Sequence, residues 1–116
     1  SRMVLRSREA MKELAKQGIR AELIDLRTIR PLDIATVLDS IRKTHHCLVV
    51  EEGHYFAGIA SEIAFQIQQH CFDELDAPVG RVCQKETPMP YSKPLEDATL
   101  PNKQRIIEGV HQVLNR

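Results

Sequence analysis

The sequence predicts an α/β fold in three layers, with a mostly parallel sheet between two layers of helices. Two observations predict it. Segments with helical periodicity alternate with short strand-like segments along the chain, in the order α-β-α-β-α-β-α, and strands joined by helical crossovers run parallel in one sheet. The run Cys47-Leu48-Val49-Val50 is apolar at every position, the pattern of a strand covered by helices on both faces. At 116 residues the chain suits one domain, 1–116, with an apolar core of its own.

Val4 to Lys16 reads as the first helix, with Val4, Met11, Leu14 and Ala15 on one face and Gly18 as its stop. Arg20 to Leu26 interleaves Ala21, Leu23, Ile24 and Leu26 with charges, as a strand does, and Pro31 closes the extended run. Asp33 to Lys43 is helical, with Ile34, Val37, Leu38 and Ile41 facing one way. The apolar run from Cys47 is the second strand, which Gly53 is expected to end. Gly58 opens the next helix, expected to reach about Phe72, with Ile59, Ile63 and Ile67 at i, i+4 and i+8 and Ala60 and Ala64 beside them. Asp76-Ala77-Pro78 is a turn and Val79 to Cys83 the third strand. Asn102 is the N-cap of a last helix that buries Ile106, Ile107, Val110, Val113 and Leu114. Three strands are few for such a sheet, and the pattern opens on a helix. A first strand is therefore expected to be missing from this fragment, whose opening Ser1-Arg2-Met3-Val4 reads as the interior of a longer chain.

Between the third strand and the last helix lies Thr87-Pro88-Met89-Pro90-Tyr91-Ser92-Lys93-Pro94. Proline fixes φ, lacks a donor and drives its predecessor to extended geometry. This stretch is expected to be a stiff strap that presents Tyr91 and Lys93.

Composition narrows the function classes. Lys and Arg together number 16, as do Asp and Glu, so no basic footprint for nucleic acid or an anionic membrane is present. No apolar run approaches the roughly 20 residues of a membrane span, and no secretory signal pattern opens the chain. Tryptophan is absent and aromatics are sparse, which leaves no base-stacking or sugar-stacking platform. Three cysteines at no metal spacing, Cys47, Cys71 and Cys83, read as reduced and mostly buried residues of an intracellular protein.

No complete catalytic constellation emerges. There is no glycine-rich phosphate loop, no nucleophile elbow and no metal-ligand spacing. Glu51, Glu52 and His54 gather at the carboxyl end of the buried strand, where open α/β sheets bind ligands. Two readings stand for this cluster: an acid/base or anchoring site, or a strand-end carboxylate that caps or pairs structurally. His45 and His46 are adjacent, so in extended chain they point to opposite faces and make a poor metal pair; solvated turn residues are expected. The run from Asp25 to Asp33 reads as a solvated edge or a subunit contact.

Several of these segments together resemble one family. They are Ala21-Glu22-Leu23-Ile24-Asp25-Leu26-Arg27-Thr28-Ile29-Arg30-Pro31-Leu32-Asp33, Leu48-Val49-Val50-Glu51-Glu52-Gly53, Gly58-Ile59-Ala60-Ser61-Glu62-Ile63, Asp76-Ala77-Pro78-Val79-Gly80-Arg81-Val82 and Pro88-Met89-Pro90-Tyr91-Ser92-Lys93. In this order they resemble the C-terminal, transketolase-type domain of pyruvate dehydrogenase beta subunits, across essentially the whole chain. The resemblance implies an α2β2 parent enzyme that decarboxylates pyruvate with thiamine diphosphate and magnesium and reductively acetylates a lipoyl group. It implies that the cofactors lie outside this domain, which binds none alone and contributes no catalytic residue. It implies as partners the alpha subunit, a second beta subunit and dihydrolipoyl acetyltransferase, in a bacterial cytoplasm or mitochondrial matrix.

Residue by residue, Asp76 matches an acidic docking position for the acetyltransferase, and Arg116 matches the family's last residue, whose carboxylate joins that contact. Glu51, His54, Tyr91 and Lys93 are candidate subunit-interface residues. His54 and Ala60 depart from the family pattern, which often has tryptophan and glycine there. A branched-chain 2-oxo acid or acetoin dehydrogenase beta subunit, or a free-standing α/β interaction module, are the alternative readings.

Overall fold

The computed structural model describes residues 2–26, 33–54, 58–84 and 101–115. The strap with Tyr91 and Lys93, the segment closed by Pro31, and Arg116 lie outside the described residues. Among the described residues four helices flank two strands: α1 (Arg2–Lys16), α2 (Ile34–Thr44), β1 (Leu48–His54), α3 (Ile59–Cys71), β2 (Gly80–Gln84) and α4 (Lys103–Leu114). A single 3-10 turn, Phe72–Glu74, follows α3.

The strands are parallel, with Leu48 opposite Gly80, Val49 opposite Arg81 and Val50 opposite Val82. The apolar run behaves as expected of a strand between two helical layers. Val49 packs with Val37, Leu38, Ile41, Ile63, Ile67 and Cys71 of α2 and α3. Leu48 and Val50 pack on the opposite face with Ala10, Leu14, Ile106 and Ile107 of α1 and α4. Alternate residues of a strand face opposite ways, so each layer takes its share. Each fully buried aliphatic side chain stabilises the domain by about 1.5–3 kcal/mol.

Local chemistry sets most of the ends. The α1 helix ends in a Schellman arrangement: Gly18 at φ +80° donates to Ala15 O at 3.0 Å and Ile19 donates to Leu14 O at 3.0 Å. Ile19 and Leu14 then meet in the core. Asp33 caps α2 by accepting from Thr36 N at 3.3 Å and Thr36 Oγ1 at 2.8 Å. Asn102 caps α4 by accepting from Arg105 N at 2.9 Å. The α4 helix lies so close on the sheet that a Cβ at Gly109 would stand 2.8 Å from Val82 Cγ2; glycine is what admits this packing.

The structure corrects several expectations. Two strands rather than three are present among the described residues. The strand expected over Arg20 to Leu26 does not form, although the alternation is real: Ile24 and Leu26 pack on the core while Ala21 and Leu23 are exposed. A strand exists only by pairing, and an open cavity of about 410 Å³ separates this segment from β1. The buried stripe of α1 is Met3, Ser7, Ala10 and Leu14; Val4 and Met11 are half-buried and Ala15 is exposed. Gly53 does not end β1, which continues to His54 through an irregular stretch of ladder after Val50. Cys47 stands one residue before β1, whereas α3 ends at Cys71, as expected of a helix reaching about Phe72. His45 and His46 are half-buried rather than solvated. His45 adopts φ 63° to end α2 and places Nδ1 2.7 Å from Glu74 O, while His46 Nδ1 lies 3.0 Å from Thr44 O. A carbonyl only accepts, so both rings carry hydrogen on Nδ1 in these contacts.

Candidate functional site

The carboxyl ends of the strands and the first turns of α3 and α4 converge on one polar cluster. Glu51 reaches from β1 to the start of α3, where Oε1 accepts from Ala60 N at 3.0 Å. The N-cap of α3 is Gly58, which has no side chain to offer. The Glu51 carboxylate therefore does the capping from a neighbouring strand, with its negative charge at the positive end of the helix. The same oxygen lies 3.8 Å from Cys83 Sγ of β2, which donates to it. Arg105 in the first turn of α4 donates to Cys83 O at 2.6 Å, and Arg81 donates to Ser61 Oγ at 2.8 Å. These contacts tie the strands to α3 and α4, and a Glu51 carboxylate bonded to Ala60 N is what the capping reading expects. Arg105, Cys83 and the Arg81–Ser61 pair gave no signal in the sequence, because their partners are 20 or more residues away.

Cys83 is fully buried. Burial, followed by the charge of Glu51, pushes its thiol up to about 11 from 9.0. Burial alone pushes Cys47 up to about 11. Neither is a thiolate nucleophile near neutral pH.

Asp76 lies at the opposite end of the sheet. Its backbone N donates to His45 O at 2.9 Å, just before β1, and Gly80 N donates to Cys47 O at 3.0 Å. The side chain of Asp76 is exposed beside the half-buried Glu74, whose carboxylate lies 4.0 Å from Arg42 Nε. The turn is thus held through its backbone, which leaves the Asp76 carboxylate facing outward. The structure does not bring Asp76 and Glu51 together, since β1 runs between them. His54 is the last residue of β1.

Comparisons with known proteins decide the family. Residues 1–106 match the family described as "Transketolase, C-terminal domain". The chain belongs to the transketolase C-terminal domain family. This transketolase C-terminal domain is 45% identical over 116 residues to "Pyruvate dehydrogenase E1 component subunit beta, mitochondrial" of Dictyostelium discoideum, covering 100% of this chain and 33% of that protein. It is 49% identical over 115 residues to the protein of that name in Drosophila melanogaster, covering 98% of this chain and 32% of the relative. It is 45% identical over 105 residues to "Pyruvate dehydrogenase E1 component subunit beta" of Rhizobium meliloti (strain 1021), covering 90% and 23%. The domain spans about a third of the length of the first two relatives and less of the third. Among the described residues no helix is long and apolar enough to cross a membrane.

The two raised thiols give this transketolase C-terminal domain an alkaline limit. A folded-state value above the unfolded one means that the native state holds its proton longer. The stability it contributes is complete below pH 9 and is lost as pH rises to about 11. The melting temperature should hold to pH 9 and then fall. In a Cys47→Ala, Cys83→Ala variant the fall between pH 9 and 11 should be shallower; an unchanged slope would remove these thiols from the account.

Proposed function

We propose that this domain is the C-terminal domain of the beta subunit of a pyruvate dehydrogenase, the thiamine-diphosphate-dependent component that decarboxylates pyruvate and reductively acetylates lipoyl groups. The observation that carries this reading is collinear identity of 42–49% to relatives of that name, over 90% or more of the chain. On this reading the domain 1–116 serves assembly with an alpha subunit and a second beta subunit and docks dihydrolipoyl acetyltransferase, in a mitochondrial matrix or a bacterial cytoplasm.

Thiamine diphosphate and magnesium would supply the decarboxylation chemistry in the parent enzyme. Among the described residues no three His, Cys, Asp or Glu side chains converge, and Glu51 Oε1 is committed to Ala60 N and Cys83. On this proposal the domain's part is architectural. Glu51, His54, Tyr91 and Lys93 are the candidate subunit contacts. Asp76 and the carboxylate of Arg116 are the candidate docking pair for a basic binding domain. The outward carboxylate of Asp76 on a turn fixed through its backbone supports that role, since a positioned charge steers and holds a basic partner.

The full-length polypeptide, reconstituted with its alpha subunit, thiamine diphosphate and magnesium, should acetylate a lipoyl domain from pyruvate. Turnover of a branched-chain 2-oxo acid in place of pyruvate would overturn the substrate assignment. In that heterotetramer, Asp76→Ala should weaken acetyltransferase binding about tenfold, or ~1.4 kcal/mol, with a larger loss at low salt than at high salt. Equal calorimetric affinities for the two proteins would exclude Asp76 from the contact.

A further inference from the structure

We propose that His45 is the residue that positions the Asp76 carboxylate for a basic partner, an inference that rests on the docking role of Asp76 given above. Asp76 belongs neither to the 3-10 turn Phe72–Glu74 before it nor to β2 after it. His45 holds it instead, with two contacts across the chain. Its ring Nδ1 donates to Glu74 O at 2.7 Å, and its carbonyl accepts from Asp76 N at 2.9 Å. The two contacts straddle Leu75, so the backbone entering Asp76 is pinned on both sides to one residue. His45 is itself anchored, since its own N donates to Ile41 O at 2.7 Å at the end of α2. Downstream, Gly80 N donates to Cys47 O at 3.0 Å and closes the far end of the turn.

The helix end alone does not require histidine. His45 adopts φ 63°, a left-handed conformation that glycine fills best and that asparagine and histidine tolerate. Glycine would close α2 and keep the carbonyl that accepts from Asp76, but it would leave Glu74 O without the ring. His45 and Glu74 are both half-buried, which strengthens that bond relative to one in water. A second tie of the same turn to α2 runs from the Glu74 carboxylate to Arg42 Nε at 4.0 Å. Arg42 also pairs with Asp39 at 3.0 Å, and exposed ion pairs of this kind contribute little. The ring is thus the contact that fixes the point from which the exposed Asp76 side chain projects. A basic partner then meets a charge already in place and does not bear the cost of ordering its backbone.

Substitutions in the full-length polypeptide, assembled with its alpha subunit, test this. His45→Gly should speed hydrogen exchange at the Asp76 amide about fivefold, the worth of one hydrogen bond. It should also weaken acetyltransferase binding about threefold by calorimetry. His45→Asn tolerates the same backbone and carries an amide N–H at the position of Nδ1, so it should restore both values. On an Asp76→Ala background His45→Gly should change the affinity no further. Should His45→Gly fail to assemble, His45→Ala removes the same ring and is read the same way. An Asp76 amide as slow in His45→Gly as in the unaltered protein would overturn the clamp, and so would an asparagine variant no better than the glycine one. Unaltered affinity in His45→Gly beside a loss in Asp76→Ala would overturn the positioning role, as would a further loss on the Asp76→Ala background. If Asp76→Ala itself binds with unaltered affinity, the docking reading fails and the partner named here falls with it. The Asp76 exchange rate separates that failure from failure of the clamp.

Discussion

Ile67→Ala should lower the unfolding free energy by about 2–5 kcal/mol. Ile67 has no exposed surface and sits at the centre of the cluster that joins α2, α3 and the sheet. Truncation removes its transfer free energy and leaves a void that the surrounding Val37, Leu38, Ile41 and Cys71 can only partly refill. For a domain of this size each kcal/mol moves the melting temperature by about 4–8 °C. The control lies two residues earlier on the same helix. Phe65 is larger but 59% exposed, and Phe65→Ala should stay within about 0.5 kcal/mol. Urea titration of the two variants separates burial from helix propensity. Comparable losses at both positions would contradict the packing described.

Glu51→Ala should cost about 1.5–3 kcal/mol, the range of a hydrogen bond to a charged group. It strips the start of α3 of the acceptor that Gly58 cannot replace, and it leaves Ala60 N and Cys83 Sγ without that acceptor. Glu51→Gln keeps an acceptor oxygen without the charge and should restore more than half of the loss. In both variants the Cys83 thiol should titrate lower than in the parent, because the Glu51 charge helps to raise it. Thiolate absorbance on alkaline titration reads this directly. The pair also separates the two readings that sequence left open. A cap tolerates glutamine, so under the proposed function the reconstituted heterotetramer should keep its turnover; an acid/base group would lose it in Glu51→Gln while stability held.

These two residues mark where sequence reading succeeded and where it stopped. Ile67 was legible because an amphipathic helix writes its buried face at a fixed spacing, and Ile63 and Ile67 carry that spacing without neighbours to confuse it. The caps at Asp33 and Asn102 and the stop at Gly18 were legible for the same reason: each acts on backbone groups within a few residues. The turn at Asp76 and the family-specific segments around it are equally local.

Glu51 was legible as a polar group at a strand end but not as the cap of α3, since nothing local says which of its neighbours it will meet. His45 read as a solvated turn residue, yet it is held by a carbonyl 29 residues away. Alternation over Arg20 to Leu26 was read correctly, but a strand needs an edge to pair with, and the cavity beside β1 withholds it. By itself, then, the sequence determined the four helices and the two strands that pair, most of the buried faces of α2, α3 and α4, the helix ends and the kinship with the transketolase C-terminal domain, all properties of short stretches. Only the tertiary structure decided which strands pair, that a carboxylate of β1 closes α3, and that an apolar cavity lies beside β1. Those depend on groups far apart in the chain, which meet only when the helical layers pack.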